Sequence, residues 1–422
     1  MRHTVAGRVE MLLAKGLNKI VKIGALRIID ANGKTHEFVG SDGPKCTVRL
    51  HDRALHYFLL ADPFLKVGES YMDGTLTIEE GTLGDLLDFL CLSAHASEDM
   101  LFFRLSEWLG RRMRWLQQRN PVARAKKNVA HHYDLSSTLY DLFLDADRQY
   151  SCAYFLRDDD SLETAQENKK RHIAAKLLLE PGQRVLDIGS GWGGLGLYLA
   201  DVENVDVTGV TLSKEQYDLS KQRVAGAGLQ DRVRFKLEDY RLQTGKYDRI
   251  VSVGMFEHIG AGHFREFFAK LRELLTDDGL ALLHSIGRME PPGATNAWLR
   301  KYIFPGGYSP SLSEVIAALE KEKLYITDIE ILRLHYAKTL EHWHDRFQKN
   351  RVKIAEIYDE RFCRMWEFYF MGCMSAFKYW DQMVFQMQIS RRQDAVPLSR
   401  DYITEWERGQ ARRQAKRPVI AA

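Results

Sequence analysis

The stretch from Arg184 to Gly194, with the sequence RVLDIGSGWGG, constrains the fold more than any other part of the chain. A short apolar run of strand character ends in an acid at Asp187, glycines follow at 189, 191, 193 and 194, and a segment of helical character comes next. Glycine is required where the backbone turns sharply and a ligand must approach without meeting a Cβ atom. The pattern therefore predicts a strand, a tight turn and a helix start, where an α/β sheet binds a nucleotide-like ligand.

Two kinds of nucleotide ligand fit this turn, and the following strand separates them. Gly189, Gly191 and Gly194 satisfy the G-x-G-x-x-G dinucleotide fingerprint, which is weak when it stands alone. A dinucleotide site also needs an acid at the carboxyl end of the second strand, but Asp206, the only acid of the run 206–213, lies at its other end. The arrangement Asp-x-Gly-x-Gly-x-Gly over 187–193 therefore favours an S-adenosylmethionine site, and a methyltransferase over a dehydrogenase.

The chain is long enough for two or three domains. It has 422 residues, of which 45% are hydrophobic and 28% charged, as in ordinary globular proteins. No stretch approaches the ~20 continuous apolar residues of a membrane-spanning helix, and residues 1–8 lack the apolar core of a signal peptide. The five cysteines form no paired framework. We therefore expect a cytoplasmic protein.

Basic residues concentrate in two places, although the net charge is only +3. Between Arg104 and Lys127 a single acid, Glu107, accompanies eight basic residues, which are interleaved with tryptophan, leucine and methionine at positions 108–116. A second basic group closes the chain at Arg408, Arg412, Arg413, Lys416 and Arg417. Such runs form either a solvated helix face or a surface that contacts anionic lipid headgroups. Because no recognisable nucleic-acid-binding module accompanies them, we predict no nucleic-acid partner.

Alternating strand and helix patterns from residue 129 onward predict the main domain. Helical patterns lie between seven strand candidates, at 184–188, 206–211, 233–237, 247–253, 280–286, 325–334 and 384–389. This alternation is typical of a doubly wound, mostly parallel sheet. We predict an α/β protein with a seven-stranded Rossmann-like class I methyltransferase sheet, preceded by a small α/β N-terminal domain.

The same patterns divide the chain into four regions. These are the N-terminal domain at 1–90, a basic helical connector at 91–128, the catalytic domain at 129–392 and a basic C-terminal tail at 393–422. The connector and the N-terminal domain are predicted to contact a membrane.

Chemistry beyond the cofactor must come from the carboxyl ends of these strands and from loops that fold over them. Glu257 follows the fourth strand and His284 lies on the fifth, while the tract 150–155 lies upstream of them and the tract 335–340 downstream. Taken singly, a strand histidine or a free cysteine such as Cys152 is more often a buried structural residue. Their concentration at one end of one sheet favours a functional site.

Together these motifs resemble the cyclopropane-fatty-acid-phospholipid synthase family, to which the mycolic acid cyclopropane synthases are related without the N-terminal domain. The resemblance covers residues 129–392 in order and rests on His132-Tyr-Asp134, Tyr150-Ser-Cys-Ala-Tyr154, Leu186-Asp-Ile-Gly-Ser-Gly-Trp-Gly-Gly194, Thr211-Leu-Ser213, Phe256-Glu-His258, Leu283-His284 and His335-Tyr336. Ser190 stands where many members have cysteine, which changes one small side chain in the turn.

The resemblance implies transfer of a methyl group from S-adenosylmethionine to a cis double bond of a phospholipid acyl chain. Loss of a proton from the added methyl then closes a cyclopropane ring. It implies a bound bicarbonate ion as the base, held by Cys152, Glu257, His284, Tyr336 and the backbone of Ile286. These residue types are suited to holding bicarbonate, because tyrosine, histidine and backbone N–H groups donate to its oxygens and Glu257 can accept its hydroxyl.

For the cofactor, the resemblance points to the loop before the sheet and to the ends of the first three strands. The cofactor residues are Tyr150, Ser151, Leu186, Asp187, Gly189, Gly191, Trp192, Gly193, Gly194, Thr211, Leu212, Ser213, Gln216, Asp239 and Tyr240. Asp239 occupies the position after the third strand where an acid commonly binds the adenine amine. No metal site is predicted, because His342 and His344 lack further ligands at a suitable spacing.

The resemblance also implies partners, and it leaves alternatives open. Unsaturated phospholipid acyl chains are the expected substrate, the inner face of a bacterial membrane is the expected peripheral location, and a homodimer is compatible with the family. The same chemistry without ring closure would give a methyl-branched or methylene fatty acid. A lipid-binding regulatory protein with a vestigial methyltransferase domain is a third reading, against which the complete set of base-site residues argues. The aromatic run 361–379 fits either an acyl-chain lining or a buried helix face.

Overall fold

The computed structural model describes residues 16–96 and 137–415. The chain forms two compact units, each assembled from separated stretches of sequence. Unit 1 comprises 1–117, 293–305 and 336–382, and unit 2 comprises 118–292, 306–335 and 383–422. Most of the predicted connector and the motif His132-Tyr-Asp134 lie outside the described residues. The four regions predicted from the sequence remain a proposal.

Strands and helices are numbered in chain order. The strands are β1 Ile23–Ile29, β2 Thr35–Val39, β3 Ser41–Leu50, β4 Leu76–Glu80, β5 Arg184–Ile188, β6 Asp206–Thr211, β7 Val233–Leu237, β8 Tyr247–Val253, β9 Leu275–Arg288, β10 Tyr325–Ile331 and β11 Gln382–Ser390. The helices are α1 Leu55–Ala61, α2 Pro63–Met72, α3 Leu83–His95, α4 Ser137–Asp141, α5 Leu162–Leu177, α6 Gly194–Glu203, α7 Lys214–Ala227, α8 Phe264–Leu274, α9 Ala297–Tyr302, α10 Leu312–Lys321, α11 His335–Lys349, α12 Arg351–Ile357, α13 Glu360–Tyr379 and α14 Asp401–Ala415.

Unit 1 contains a four-stranded sheet in the order β2-β1-β3-β4. Strand β1 pairs antiparallel with β2 and parallel with β3, and β3 pairs antiparallel with β4. Helix α3 follows the sheet and begins at a capping box, in which Thr82 and Asp85 each satisfy a backbone N–H of the other. The sheet and its helices confirm the predicted α/β character of the N-terminal part.

The aromatic run of α13 packs within unit 1. Its Trp366 and Phe370 rings have centroids 5.4 Å apart, and Phe347 of α11 lies 5.6 Å from Phe370. Trp298 of α9 is buried, and its indole N–H donates to the Met72 sulfur at 3.2 Å. This part of the aromatic run therefore packs against other aromatic side chains of unit 1.

Unit 2 contains a seven-stranded sheet in the order β10-β11-β9-β8-β5-β6-β7. The pairs β5–β6, β5–β8, β6–β7 and β8–β9 are parallel, whereas β10 and β11 are antiparallel. All seven predicted strands are present. Strand β9 begins at Leu275 rather than 280, because the turn-like residues Thr276–Gly279 continue the strand through an irregular register beside β8.

Both faces of this sheet are covered. Leu186 and Ile188 of β5 belong to a core cluster with the phenylalanines of α8, and Val185 belongs to a second cluster with Ile173 of α5 and Leu199 of α6. Alternate residues of a strand point to opposite faces, and parallel strands covered on both faces read as continuous apolar runs. The sheet is therefore a packed support for groups at and beyond the carboxyl ends of its strands.

None of the helices in residues 16–96 and 137–415 combines the length and the apolar character needed to cross a membrane.

Candidate functional site

The turn after β5 has the backbone that its glycines predict. Gly189, Gly191 and Gly193 have φ angles of +80°, +53° and +84°. A Cβ atom on Gly189 would lie 2.8 Å from the Cβ of Met255, and one on Gly193 would lie 2.7 Å from the Phe235 ring. Both the left-handed conformation and the close neighbours exclude a side chain at these positions. Helix α6 begins at Gly194, so its N-terminus follows this turn directly.

A cavity of unit 2, at the carboxyl ends of β5 to β8, brings most of the predicted cofactor residues together. Every predicted cofactor residue lines it except Leu186, Gly193 and Ser213. Leu186 is fully buried in the core, and Ser213 is the N-cap of α7, where its hydroxyl accepts the Gln216 N–H. Those two residues therefore support the cavity walls rather than face the cavity.

Hydrogen bonds fix the polar side chains at the carboxyl end of β6 and the start of α7. Thr211 Oγ1 donates to Gln216 Oε1 at 2.8 Å and accepts the Ser213 N–H at 3.2 Å. Thr211, Leu212 and Gln216 line the cavity. The hydrogen bonds hold this corner rigid before any ligand arrives.

Asp187 at the end of β5 is almost fully buried, with 2% of its surface exposed. Burial raises the pKa of its carboxyl to about 7, although the positive charge of Lys169 opposes the rise. Its Oδ2 has no hydrogen-bond partner among the described residues. A buried polar atom without a partner is costly, and such atoms are typical of ligand sites.

Lys169 of α5 lines the same cavity and was not predicted from the sequence. Its ammonium donates to Ser151 Oγ and to Gln149 Oε1, both at 2.7 Å. Complete burial lowers the pKa of this lysine to about 8. Helix α5 buries polar residues together with apolar ones, so the hydrophobic periodicity by which a buried face is recognised is weak.

Asp239, after β7, is paired within its own turn. Its two carboxylate oxygens accept hydrogen bonds from Arg241 Nε at 2.9 Å and from the terminal nitrogen at 2.7 Å. Burial raises the pKa of Asp239, but the hydrogen bonds and the charge of Arg241 outweigh it, and the pKa lies below its usual range. The cavity therefore presents an ionised carboxylate at this end.

Glu257 lies in a short 3-10 turn after β8, between Met255 and His258, which both line the cavity. The Ile286 N–H of β9 donates to Glu257 Oε1, with 2.6 Å between the two atoms. Burial raises the pKa of Glu257 to about 7, and the Ile286 hydrogen bond opposes the rise. Its Oε2 is buried without a partner in the described part of the chain. Two predicted base-site residues are thus in direct contact.

His284 lies two residues before Ile286 on β9, so the two side chains share a face of the strand. Burial lowers the pKa of His284 to about 3, and its ring is therefore neutral at physiological pH. Gln386 of the neighbouring strand β11 places its amide nitrogen 3.2 Å from His284 Nδ1. Gln386 was not predicted, because only the strand order brings it to this position.

The other two base-site residues belong to different units. Cys152 of unit 2 is 1% exposed, and its thiol donates to the Ala153 carbonyl at 3.3 Å. Tyr336 belongs to unit 1, near the start of α11, where its ring lies 5.8 Å from Trp343 and 4.9 Å from Phe377. Their predicted roles remain a proposal.

Comparison with known proteins gives a consistent result. The family model described as mycolic acid cyclopropane synthetase matches residues 121–387. A cyclopropane-fatty-acyl-phospholipid synthase of Escherichia coli K12 is 38% identical over 338 residues, 79% of this chain and 85% of that protein. A probable fatty acid methyltransferase of Pseudomonas putida is 36% identical over 361 residues, 84% of this chain and 88% of the relative.

Solved structures show the same similarity. The cyclopropane synthase MmaA2 of Mycobacterium tuberculosis superimposes with a TM-score of 0.60 at 32% identity, over 64% of this chain and 98% of that one. The mycolic acid cyclopropane synthase CmaA1, in a crystal structure complexed with SAH and CTAB, gives a TM-score of 0.60 at 34% identity, over 64% of this chain and 99% of that one.

Proposed function

This chain belongs to the mycolic acid cyclopropane synthetase family, and from that premise we propose that it is a cyclopropane-fatty-acyl-phospholipid synthase. It is an S-adenosylmethionine-dependent methyltransferase whose substrate is a cis double bond in a phospholipid acyl chain. The added methyl loses a proton as the cyclopropane ring closes. The observation that carries this proposal is the position of Glu257, a buried carboxylate beside the cofactor cavity with one oxygen held by Ile286 and the other without a partner among the described residues.

The residues of the cavity fit S-adenosylmethionine. The glycine turn lets a ligand approach the backbone, Asp187 offers an unpartnered carboxylate oxygen, and Ser190 has a buried hydroxyl that finds no partner in the described residues. Asp239 supplies an ionised acceptor at the far end. When bound, S-adenosylmethionine supplies the methyl group on a sulfonium centre. The chain positions it, since an alkene is a weak nucleophile that must be held in line at near-attack distance.

The residues around Glu257 fit a bicarbonate ion. Buried polar atoms that lack a partner among the described residues include Glu257 Oε2, Ser252 Oγ and Gln386 Oε1. When bound, bicarbonate would supply a base for the methyl proton. Glu257 would accept its hydroxyl, His284, Tyr336 and the Ile286 N–H would donate to its oxygens, and Cys152 would complete the holding set. In the structure the Ile286 N–H donates to Glu257 and orients its carboxylate. The same N–H would thus serve both Glu257 and the bicarbonate.

Cofactor affinity is expected to weaken as the pH falls through about 7, the raised pKa of Asp187. Below that pH the carboxyl is protonated and loses its attraction for the positive charge of the cofactor, so the Kd should rise by up to about tenfold per pH unit. Isothermal titration of S-adenosylmethionine between pH 6 and 8, roughly the range that brackets this pKa, measures the effect. The Asp187→Asn protein should bind S-adenosylmethionine weakly, with a Kd that does not change with pH.

The matched control for that titration is Asp206→Asn, which changes the acid at the opposite end of the neighbouring strand β6. It should keep the wild-type affinity and the wild-type pH dependence. A wild-type Kd that stays constant across this pH range would contradict the assignment of Asp187.

Membrane contact is the second part of the proposal, and it rests on the basic run that includes Arg111, Arg112 and Arg114. Reversing these three charges to glutamate should weaken binding to vesicles containing anionic phospholipid by about 100-fold or more at low salt, since each basic residue near such a surface contributes about 1 kcal/mol. Co-sedimentation with these vesicles measures the binding.

The control reverses three basic residues exposed on α7 and α8 of unit 2, namely Lys214, Lys221 and Arg272. The net charge change is the same, so only the position differs. Equal weakening in both triple variants would indicate a general charge effect, and undiminished binding of the first would mean that the run is merely solvated.

The product assay separates ring closure from the alternative, which the Pseudomonas putida relative named a probable fatty acid methyltransferase supports. The protein is incubated with S-adenosylmethionine and vesicles of a cis-monounsaturated phospholipid, and the proton NMR spectrum of the recovered acyl chains is recorded. Upfield ring-methylene signals with loss of olefinic protons are expected. Retained or shifted olefinic signals with a new methyl would identify the ring-free methyltransferase, and an unchanged spectrum would favour a lipid-binding protein without activity.

A further inference from the structure

Gln386 is a buried polar residue in the middle of an apolar strand. It lies on β11 between Phe385 and Met387, and all three side chains are completely buried. Strand β11 is the sheet neighbour of β9, and this adjacency brings the Gln386 amide nitrogen within 3.2 Å of His284 Nδ1. The contact joins residues 102 positions apart in the sequence. A hydrophobic residue would fill this core position without the cost of burying an amide.

A second glutamine on the same strand shows what a structural amide does. Gln388 donates to the Lys176 carbonyl and to the Tyr402 hydroxyl, at 2.5 and 2.9 Å, and its Oε1 accepts the Thr327 hydroxyl at 2.7 Å. Gln386 contacts His284 with its nitrogen, whereas its Oε1 has no partner among the described residues. Leaving a buried acceptor unpaired costs about 1–3 kcal/mol. Packing therefore does not account for Gln386, and its contact with His284 does.

The contact determines where the single hydrogen of His284 lies. An amide nitrogen can only donate, so Nδ1 must present its lone pair. Burial keeps the ring neutral, and a neutral imidazole carries one hydrogen, which then resides on Nε2. No hydrogen bond to Nε2 is made within the described chain, and this N–H is left to donate to a ligand oxygen. The opposite tautomer would turn a lone pair toward an anion.

We propose that Gln386 is a positioning residue, which fixes His284 in the tautomer with hydrogen on Nε2 so that His284 can donate to the oxyanion bound beside Glu257. The inference rests on the proposed function, because the oxyanion is the proposed bicarbonate. Gln386 itself acts through His284 in the same way that outer partners orient the histidines of metal sites.

The test compares two variants with a matched control on the same strand. Gln386→Glu replaces the donor by an acceptor, which should draw the hydrogen to Nδ1. Gln386→Met keeps the approximate volume and removes the hydrogen bond, so it remains informative if a buried carboxylate prevents folding. The control, Gln382→Glu, makes the same glutamine-to-glutamate change at the half-buried start of β11. Thermal unfolding verifies that each protein is folded.

The first readout is the tautomer itself, measured by two-bond nitrogen–proton correlation NMR on protein labelled with ¹⁵N-histidine, with His284 assigned from the His284→Asn spectrum. Wild type and Gln382→Glu should show the Nε2–H pattern, and Gln386→Glu should lose it. A wild-type ring with hydrogen on Nδ1 would overturn the inference. This readout does not depend on turnover.

The second readout is kinetic. Both Gln386 variants should lower kcat about 10- to 100-fold, the range seen for outer-shell partners. The S-adenosylmethionine Kd should stay within about twofold of wild type, because neither Gln386 nor His284 lines the cofactor cavity. Turnover of both variants at the wild-type rate would overturn the inference. A wild type that gives no cyclopropane product would instead reject the proposed function, while the NMR experiment would still decide the tautomer.

Discussion

Replacing Glu257 by glutamine is expected to lower the turnover of cyclopropane formation about 10²- to 10⁴-fold, the range for a group that assists proton transfer. The change keeps the size of the side chain but removes the acceptor that we assign to the bicarbonate hydroxyl. Glu257 Oε2 is buried and has no partner among the described residues, so this oxygen is available to a ligand. The Kd of S-adenosylmethionine should be unchanged, because Glu257 does not line the cofactor cavity.

The pH dependence of turnover gives a second measurement on the same variant. Burial raises the pKa of Glu257 to about 7, and the ionised carboxylate is the stronger acceptor for the bicarbonate hydroxyl. Wild-type kcat should therefore fall as the pH drops below about 7, and this limb should be absent from the residual activity of Glu257→Gln. Glu266→Gln, the same change at an exposed position of α8, should behave as wild type. Full turnover by Glu257→Gln would remove Glu257 from the proposed base site.

Replacing Gly189 by alanine is expected to raise the Kd of S-adenosylmethionine about tenfold or more. Gly189 lines the cavity with φ at +80°, a conformation that costs other residues roughly 1–2 kcal/mol. The new Cβ would also lie 2.8 Å from the Met255 Cβ, so either the turn or the segment before Glu257 must move. Each 1.4 kcal/mol lost from binding corresponds to about a factor of ten in Kd.

Equilibrium titration with S-adenosylmethionine measures that change, and Gly226→Ala is its control. Gly226 is exposed in the last turn of α7, where an added Cβ meets no atom within 4 Å and alanine is the better helix former. The control should bind as wild type and be equally or slightly more stable. An unchanged Kd for Gly189→Ala would contradict the assignment of this turn to the cofactor.

The seven strands of unit 2 could be predicted because each carries its own signal. Strands buried on both faces read as short apolar runs between turn residues, and the glycine turn after β5 marks the ligand edge of the sheet. The start of β9 was predicted at residue 280 instead of 275 because residues 276–279 are polar residues and glycine, which are typical of a turn, although they continue the strand. Local patterns indicate the conformation that residues prefer, and neighbouring strands can override it.

The composition of unit 1 could not be read from the sequence. Residues 293–305 and 336–382 lie between strands of the methyltransferase sheet in sequence, but they belong to the unit that contains the N-terminal sheet. The aromatic run of α13 is amphipathic in the same way whether its partner is another helix or an acyl chain. Hydrophobic periodicity shows which face of a helix is buried, but not what covers it.

The sequence by itself determined the class of sheet, the glycine turn with Asp187, and the residue types available at the strand ends. Tertiary structure alone decided which of them meet. Ile286 orients Glu257 across 29 positions of sequence, Lys169 reaches Ser151 across 18 positions from a helix that buries polar and apolar residues together, and Gln386 reaches His284 across 102 positions. Such contacts depend on strand order and register, which local propensity does not encode, because side-chain alternation specifies a face of the sheet but not the neighbouring strand.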